Sequence, residues 1–198
     1  MVDPLLLVPF ISLVVLPIAW LGGRLLPRTA WMGWAAILTL TNALFLYIPW
    51  AIAIIGTRRL TIGPVAILGF FMIAAGLFLL ASALFSILAV PGQTRSLPEK
   101  LVVEGPYHWV RHPLYLSHFL LIGGSALACG ALKVFLETPV VLGIGAVGGK
   151  YEESRRLLPL FGKTFEHYRT KTHFLLPPWG WVILGFIYGL IAFRVFLP

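Results

Sequence analysis

The sequence predicts an all-α, polytopic membrane protein with five to six transmembrane helices, and three observations carry that prediction. Of 198 residues, 59% are apolar and only 11% charged, against about 25% charged in an ordinary soluble domain. A soluble fold of this length has too little interior to hide so much apolar surface. A disordered chain needs low hydrophobicity, whereas the mean hydropathy here is +0.93. The apolar residues also come in long unbroken runs rather than short alternating segments, so the spans are helices and not barrel strands.

Six runs are candidates: Leu5–Leu21, Ala30–Ile55, Val65–Val90, Leu114–Leu132, Val134–Gly149 and Trp179–Phe196. Crossing the hydrocarbon takes about 20 helical residues. Met1–Asp3 carries no basic stretch, so the first run is expected to be a span and not a cleaved leader. The second and third runs are long enough without help. The fourth opens on Pro113, which a helix tolerates in its first turn. The fifth is short, has Pro139 near its start, and is expected to continue as helix through Lys150–Leu158 beyond the bilayer. The chain thus divides into a scaffold of three spans (1–90), a polar region with two spans (91–178) and a last span (179–198).

Eleven of the fifteen Lys and Arg residues follow spans one, three and five; Arg58, Arg59, Lys133 and Arg194 lie on the other side. The positive-inside rule puts the first group in the cytoplasm and both termini outside; an interfacial first or last run moves one terminus only. The protein is expected in a cell inner membrane or an endomembrane, with its site facing the cytoplasm. The net charge of +8 then reflects contact with anionic membrane lipid, and no soluble basic element points to nucleic acid. The single cysteine, Cys129, excludes a disulfide framework and a Cys-cluster metal site.

Polar residues concentrate in Pro91–Pro113 and Lys150–Pro178, which hold four of the five histidines and five of the seven acids. Inside the spans, His118 and Glu137 are the clear ionisable residues. Gly143–Gly148 reads G-x-G-x-x-G, but a dinucleotide fingerprint needs a preceding strand, and a membrane span has none. These glycines either pack helices closely or open a cleft for a ligand. His108 and His112 have the spacing of a histidine box, yet too few further ligands exist for a di-iron site, and no metal is expected. Glu152-Glu153 precedes Arg155-Arg156, as in a solvated helix with i,i+4 pairs. The densest segment is Leu101–Tyr115, where Tyr107, Arg111, His112 and Tyr115 gather at a helix N-terminus. Such an end suits a carboxylate or phosphate, and the same residue types also anchor helices at headgroup level.

This segment resembles the signature of membrane-embedded S-adenosylmethionine (SAM) methyltransferases, the isoprenylcysteine carboxyl methyltransferases and phospholipid N-methyltransferases. The signature L-V-x-x-G-x-Y-x-x-x-R-H-P-x-Y is matched by Leu101, Val102, Gly105, Tyr107, Arg111, His112, Pro113 and Tyr115. The family's E-E and F-G-x-x-Y-x-x-Y are echoed by Glu152-Glu153 and by Phe161-Gly162 with Tyr168. The resemblance covers about residues 91–178. It implies SAM contacts from Gln93, Leu101, Val102, Tyr107, His112, Pro113, Tyr115 and an acid of the pair, Glu153 ahead of Glu152. It also implies catalytic roles for Arg111, His112, Tyr115 and Glu152.

Three departures mark this chain. Phe165 replaces the first tyrosine after F-G, and Ala74-Ala75-Gly76 is a degenerate form of an earlier G-x-G. The spacer Ser154–Leu160 is one residue longer than the family's. The prenylcysteine enzymes carry a substrate-binding arginine four residues before the acid, where this chain has Gly149, or Gly148 in the other register. The resemblance therefore implies a lipid or lipid-modified small substrate, with amine N-methylation ahead of carboxyl O-methylation. A sterol-reductase-like enzyme using NADPH and a non-enzymatic scaffold are the alternatives.

Overall fold

The computed structural model describes residues 47–57, 63–90 and 100–196. These residues form helices and connecting turns, with a single isolated parallel bridge between Val110 and His173. In chain order the helices are α1 (Ile48–Thr57), α2 (Pro64–Leu88), α3 (Pro113–Ala128), α4 (Leu132–Glu137), α5 (Pro139–Glu152), α6 (Leu158–Lys171) and α7 (Pro178–Phe196). A 3₁₀ turn, Gly105–His108, precedes α3, and a π turn, Glu153–Leu157, joins α5 to α6. The first run and most of the second, with Gln93 and the 91–99 connection, lie outside the described residues.

Among the described residues, three helical stretches are long and apolar enough to cross a membrane: Pro64–Leu88, Leu132–Lys171 and Pro178–Phe196. The fourth expected span is shorter than the sequence suggests. α3 stops at Ala128, because Gly130 takes a positive φ of 69° and turns the chain before Leu132. The fifth begins two residues earlier than expected and bends at Thr138-Pro139. It then runs on as helix past Leu158, as expected, and kinks at Gly162 within α6. The outer faces of α2 and α7 expose Phe70, Phe71, Phe78, Phe85, Phe186 and Phe193. Such continuous apolar faces are stable against lipid and not against water.

Between helices in lipid, close packing and not water exclusion supplies the attraction. The α2–α3 contact follows that rule. A Cβ on Gly69 would lie 2.3 Å from the Ala128 nitrogen, and one on Gly124 would lie 2.8 Å from the Gly69 oxygen. Gly76, of the degenerate G-x-G, abuts Leu120 and Leu121 in the same seam. The main core gathers Trp50, Phe119, Phe135 and Leu127 from α1, α3 and α4. His118 is satisfied there by a hydrogen bond to the Tyr47 hydroxyl, so it packs and does not open a site. α7 joins through Tyr188, which stacks on Phe135 at 4.6 Å and hydrogen-bonds Thr138.

Candidate functional site

Two polar segments far apart in sequence meet where α3 begins and α5 ends. The 3₁₀ turn needs Gly105: its φ is +61°, a conformation costing a side-chain residue about 1–2 kcal/mol. A Cβ there would also lie 2.3 Å from the Ser86 hydroxyl of α2. The turn delivers Val110 and Arg111 to a short backbone pairing with the strap after α6. Arg111 N–H donates to the His173 carbonyl at 2.8 Å, and His173 N–H to the Trp109 carbonyl at 3.0 Å. Tyr168 donates its hydroxyl to the Tyr107 carbonyl at 2.6 Å, closing the same junction.

α3 and α5 then meet through the glycine face. On α5, Gly145, Gly148, Gly149, Glu152 and Glu153 share one side, at helical spacings of three and four. The Tyr115 side chain lies over Gly145 and Gly148, where added Cβ atoms would come within 2.8 Å of its Cβ and 3.0 Å of its hydroxyl. The His112 ring lies over Gly149, where a Cβ would be 2.9 Å from its Cδ2 and 3.0 Å from Phe174. The glycines thus serve as contact surface for two site residues, and Gly143, with open space around it, borders a cleft. The space beside Gly149 is taken by His112 and Phe174, and that beside Gly148 by the Tyr115 hydroxyl.

One turn beyond these glycines the two acids take different roles. Glu153 is buried, with 6% of its side chain exposed, and one oxygen serves two partners. Arg111 Nε donates to it at 2.7 Å and His112 Nε2 lies at 3.1 Å. Burial raises the Glu153 carboxyl, but the hydrogen bonds and charges of His112 and Arg111 outweigh it and hold the group below the ordinary carboxylate value. Arg111 also donates to the carbonyls of Arg169 at 3.1 Å and Thr172 at 2.5 Å, so it stitches α5, α6 and the strap together. Glu152 is 37% exposed, with Oε2 3.8 Å from His112 Nδ1. Its charge reaches the hydroxyls of Tyr107 and Tyr115. For Tyr107, burial first and that charge second raise the phenol above its ordinary value.

A π turn, Glu153–Leu157, continues the helix directly from the acid pair. A π turn closes on i+5 rather than i+4 and so absorbs one extra residue without ending the helix. It starts at Glu153, so the face that carries the glycines ends on the two acids. Beyond it, α6 kinks at Gly162, whose φ of +48° a side-chain residue rarely adopts. Phe165 and Tyr168 then fold back to bury Leu101 in a small separate cluster.

The sequence-predicted residues therefore sort clearly. Tyr107, Arg111, His112, Tyr115, Glu152 and Glu153 converge. Pro113 is buried as the first residue of α3, Leu101 sits in the supporting cluster, and Val102 is half-buried beside it. His108 is exposed and does not join His112. Phe174 is the residue sequence reading missed. Its ring is 4.9 Å from that of His112, 5.6 Å from the Arg111 guanidinium carbon and 4.9 Å from Lys150 Nζ. A lone phenylalanine in a polar loop carries no spacing signal. Phe174 also lines a cleft of about 460 Å³ between α5 and α7, so it stands as the wall between polar site and apolar space. Searches of protein-family models, curated proteins and solved structures find no match to this chain.

Proposed function

We propose that this protein is a SAM-dependent methyltransferase of the membrane-embedded kind, acting on a lipid amine at the cytoplasmic membrane surface. The observation that carries the reading is the half-exposed Glu152 beside Tyr107, Tyr115 and His112, braced from behind by the buried Arg111–Glu153 pair. SAM is a zwitterion with a positively charged sulfur, and this donor set fits it. Glu152 suits the ammonium. The α3 N-terminus has no side-chain cap and offers N–H groups to a carboxylate. The tyrosine faces favour a cation. On this reading Glu152 holds the cofactor and Glu153 positions Arg111 and His112, the reverse of what the motif alone favours.

When bound, SAM supplies a methyl carbon already activated by the sulfonium. The residues' task is to align the nucleophile with it and to exclude water. An ammonium headgroup would first give up one proton, for which His112, beside Glu152, can serve as acceptor. The nitrogen lone pair then forms the N–C bond as the C–S bond breaks. The space beside Gly149 is taken by His112 and Phe174, and that beside Gly148 by the Tyr115 hydroxyl, so this chain carries no arginine side chain at either position, which supports an amine over a prenylcysteine carboxylate.

The test is equilibrium binding of SAM and of NADPH to the purified full chain in detergent, followed by methyl transfer from labelled SAM to phosphatidylethanolamine. SAM binding that Glu152→Gln weakens by about tenfold is the expected result. Binding of NADPH without SAM makes the protein reductase-like, and binding of neither makes it a scaffold.

A further inference from the structure

The cleft beside the polar site has a defined build. Leu142, Gly143 and Ala146 lie on one face of α5, and Trp181, Leu184 and Gly185 face them from α7. α7 is tied to α4 by Tyr188 on Thr138 and Phe135, which leaves the α5 side of α7 standing off along the cleft. A Cβ on Gly143 or on Gly185 would meet no heavy atom within 4 Å, so the missing side chains are what create the space. The next position on the same α5 face is Lys150, one turn above Ala146. Lys150 is exposed, with its Nζ 4.9 Å from the ring of Phe174 that ends the cleft. Gly143 to Lys150 is seven residues, or about 10 Å along the helix.

We infer that the cleft seats an acyl chain of a glycerophospholipid, with the lipid's phosphate against Lys150. Its walls are apolar, and Lys150, with Nζ 4.9 Å from the Phe174 ring that lines the cleft, is a cation that complements a phosphate. A neutral diacylglycerol brings no anion to that mouth. Phe174 then divides the chain's seat from the Arg111–His112 side, so a headgroup reaches over its ring to the site. This deepens the lipid-amine reading by naming where the lipid is held, and it is testable without turnover.

The full chain in detergent is titrated with dipalmitoyl phosphatidylethanolamine, dipalmitoyl phosphatidylglycerol and dipalmitoylglycerol, and bound lipid is counted by native mass spectrometry. Both phospholipids are expected to bind about tenfold more tightly than the diacylglycerol, and Lys150→Gln to erase that preference. Gly143→Leu and Gly185→Leu fill the cleft and are expected to cut phospholipid retention about tenfold. Gly189→Leu is the control: its Cβ also meets open space, and it lies outside the cleft. If one cleft-filling variant fails to fold, the other decides. Equal binding of diacylglycerol by the wild type overturns the inference. So does undiminished retention in the filled variant, or a change in dimer mass in place of lipid count. SAM binding is read on the same samples: its absence beside intact lipid selectivity sinks the methyltransferase reading and leaves the lipid seat standing.

Discussion

Removing the Glu153 carboxylate tests the division of labour between the two acids. In Glu153→Ala, Arg111 and His112 stay buried, with 8% and 4% of their side chains exposed, and lose their shared anion. Breaking a buried pair from one side costs about 3–5 kcal/mol. Arg111 keeps its bonds to the Arg169 and Thr172 carbonyls, which places the loss near the lower end. At roughly 2–4 °C per kcal/mol for a chain of this size, Glu153→Ala should melt roughly 6–12 °C below wild type. Glu153→Gln keeps an acceptor and should lose about 1.5–3 kcal/mol. Glu152→Gln, at a half-exposed site, should stay within about 0.5 kcal/mol. The Glu153 carboxyl is held below its ordinary value of 4.5, so its stabilisation is present above that pH and is lost as pH falls through the lowered value. The gap between wild type and Glu153→Ala should therefore be full at neutral pH and close in acid. Thermal unfolding in detergent, followed by near-UV circular dichroism across that range, measures both. Equal losses at the two acids, or a gap that widens in acid, would refute the buried triad as the structural brace.

Other consequences are open to direct test. Gly149→Arg, which places an arginine where the prenylcysteine enzymes it resembles carry one, should not create prenylcysteine turnover. Its Cβ alone crowds His112 and Phe174, and a loss of about 1–3 kcal/mol is expected by chemical unfolding. Gly105→Ala should be destabilising through both its φ and the Ser86 hydroxyl. In a Ser86→Ala background only the conformational cost of about 1–2 kcal/mol should remain, measured as a double-mutant cycle. For orientation, a cysteine at Thr170 in a Cys129→Ala chain should be shielded from an impermeant thiol reagent in intact cells, and one at Thr61 should react. The reverse labelling overturns the cytoplasmic placement.

Much of the architecture is written in composition. Long apolar runs dictate lipid-facing helices, because water cannot solvate the exposed phenylalanines of α2 and α7. The clustering of Tyr107, Arg111, His112, Tyr115 and the acid pair in two loops was likewise enough to name the residues that would meet. Their division of labour was not legible there. Glu152 and Glu153 are identical side chains on adjacent positions, and only the orientation of α5 against α3 decides which one is buried on Arg111 and His112 and which faces out. That orientation is set by rings on glycines, Tyr115 over Gly145 and Gly148 and His112 over Gly149, and by a π turn that absorbs one extra residue. Where the helix widens is not visible in the sequence. Helix lengths show the same limit. Hydropathy carries the fourth run to Leu132, but Gly130 turns the chain after Ala128, since a local backbone conformation overrides an apolar tally. Phe174 gains meaning only from the tertiary structure, which sets its ring against His112 and Arg111 and along the cleft between α5 and α7, because a cavity is a relation between surfaces distant in sequence, and no local spacing encodes it.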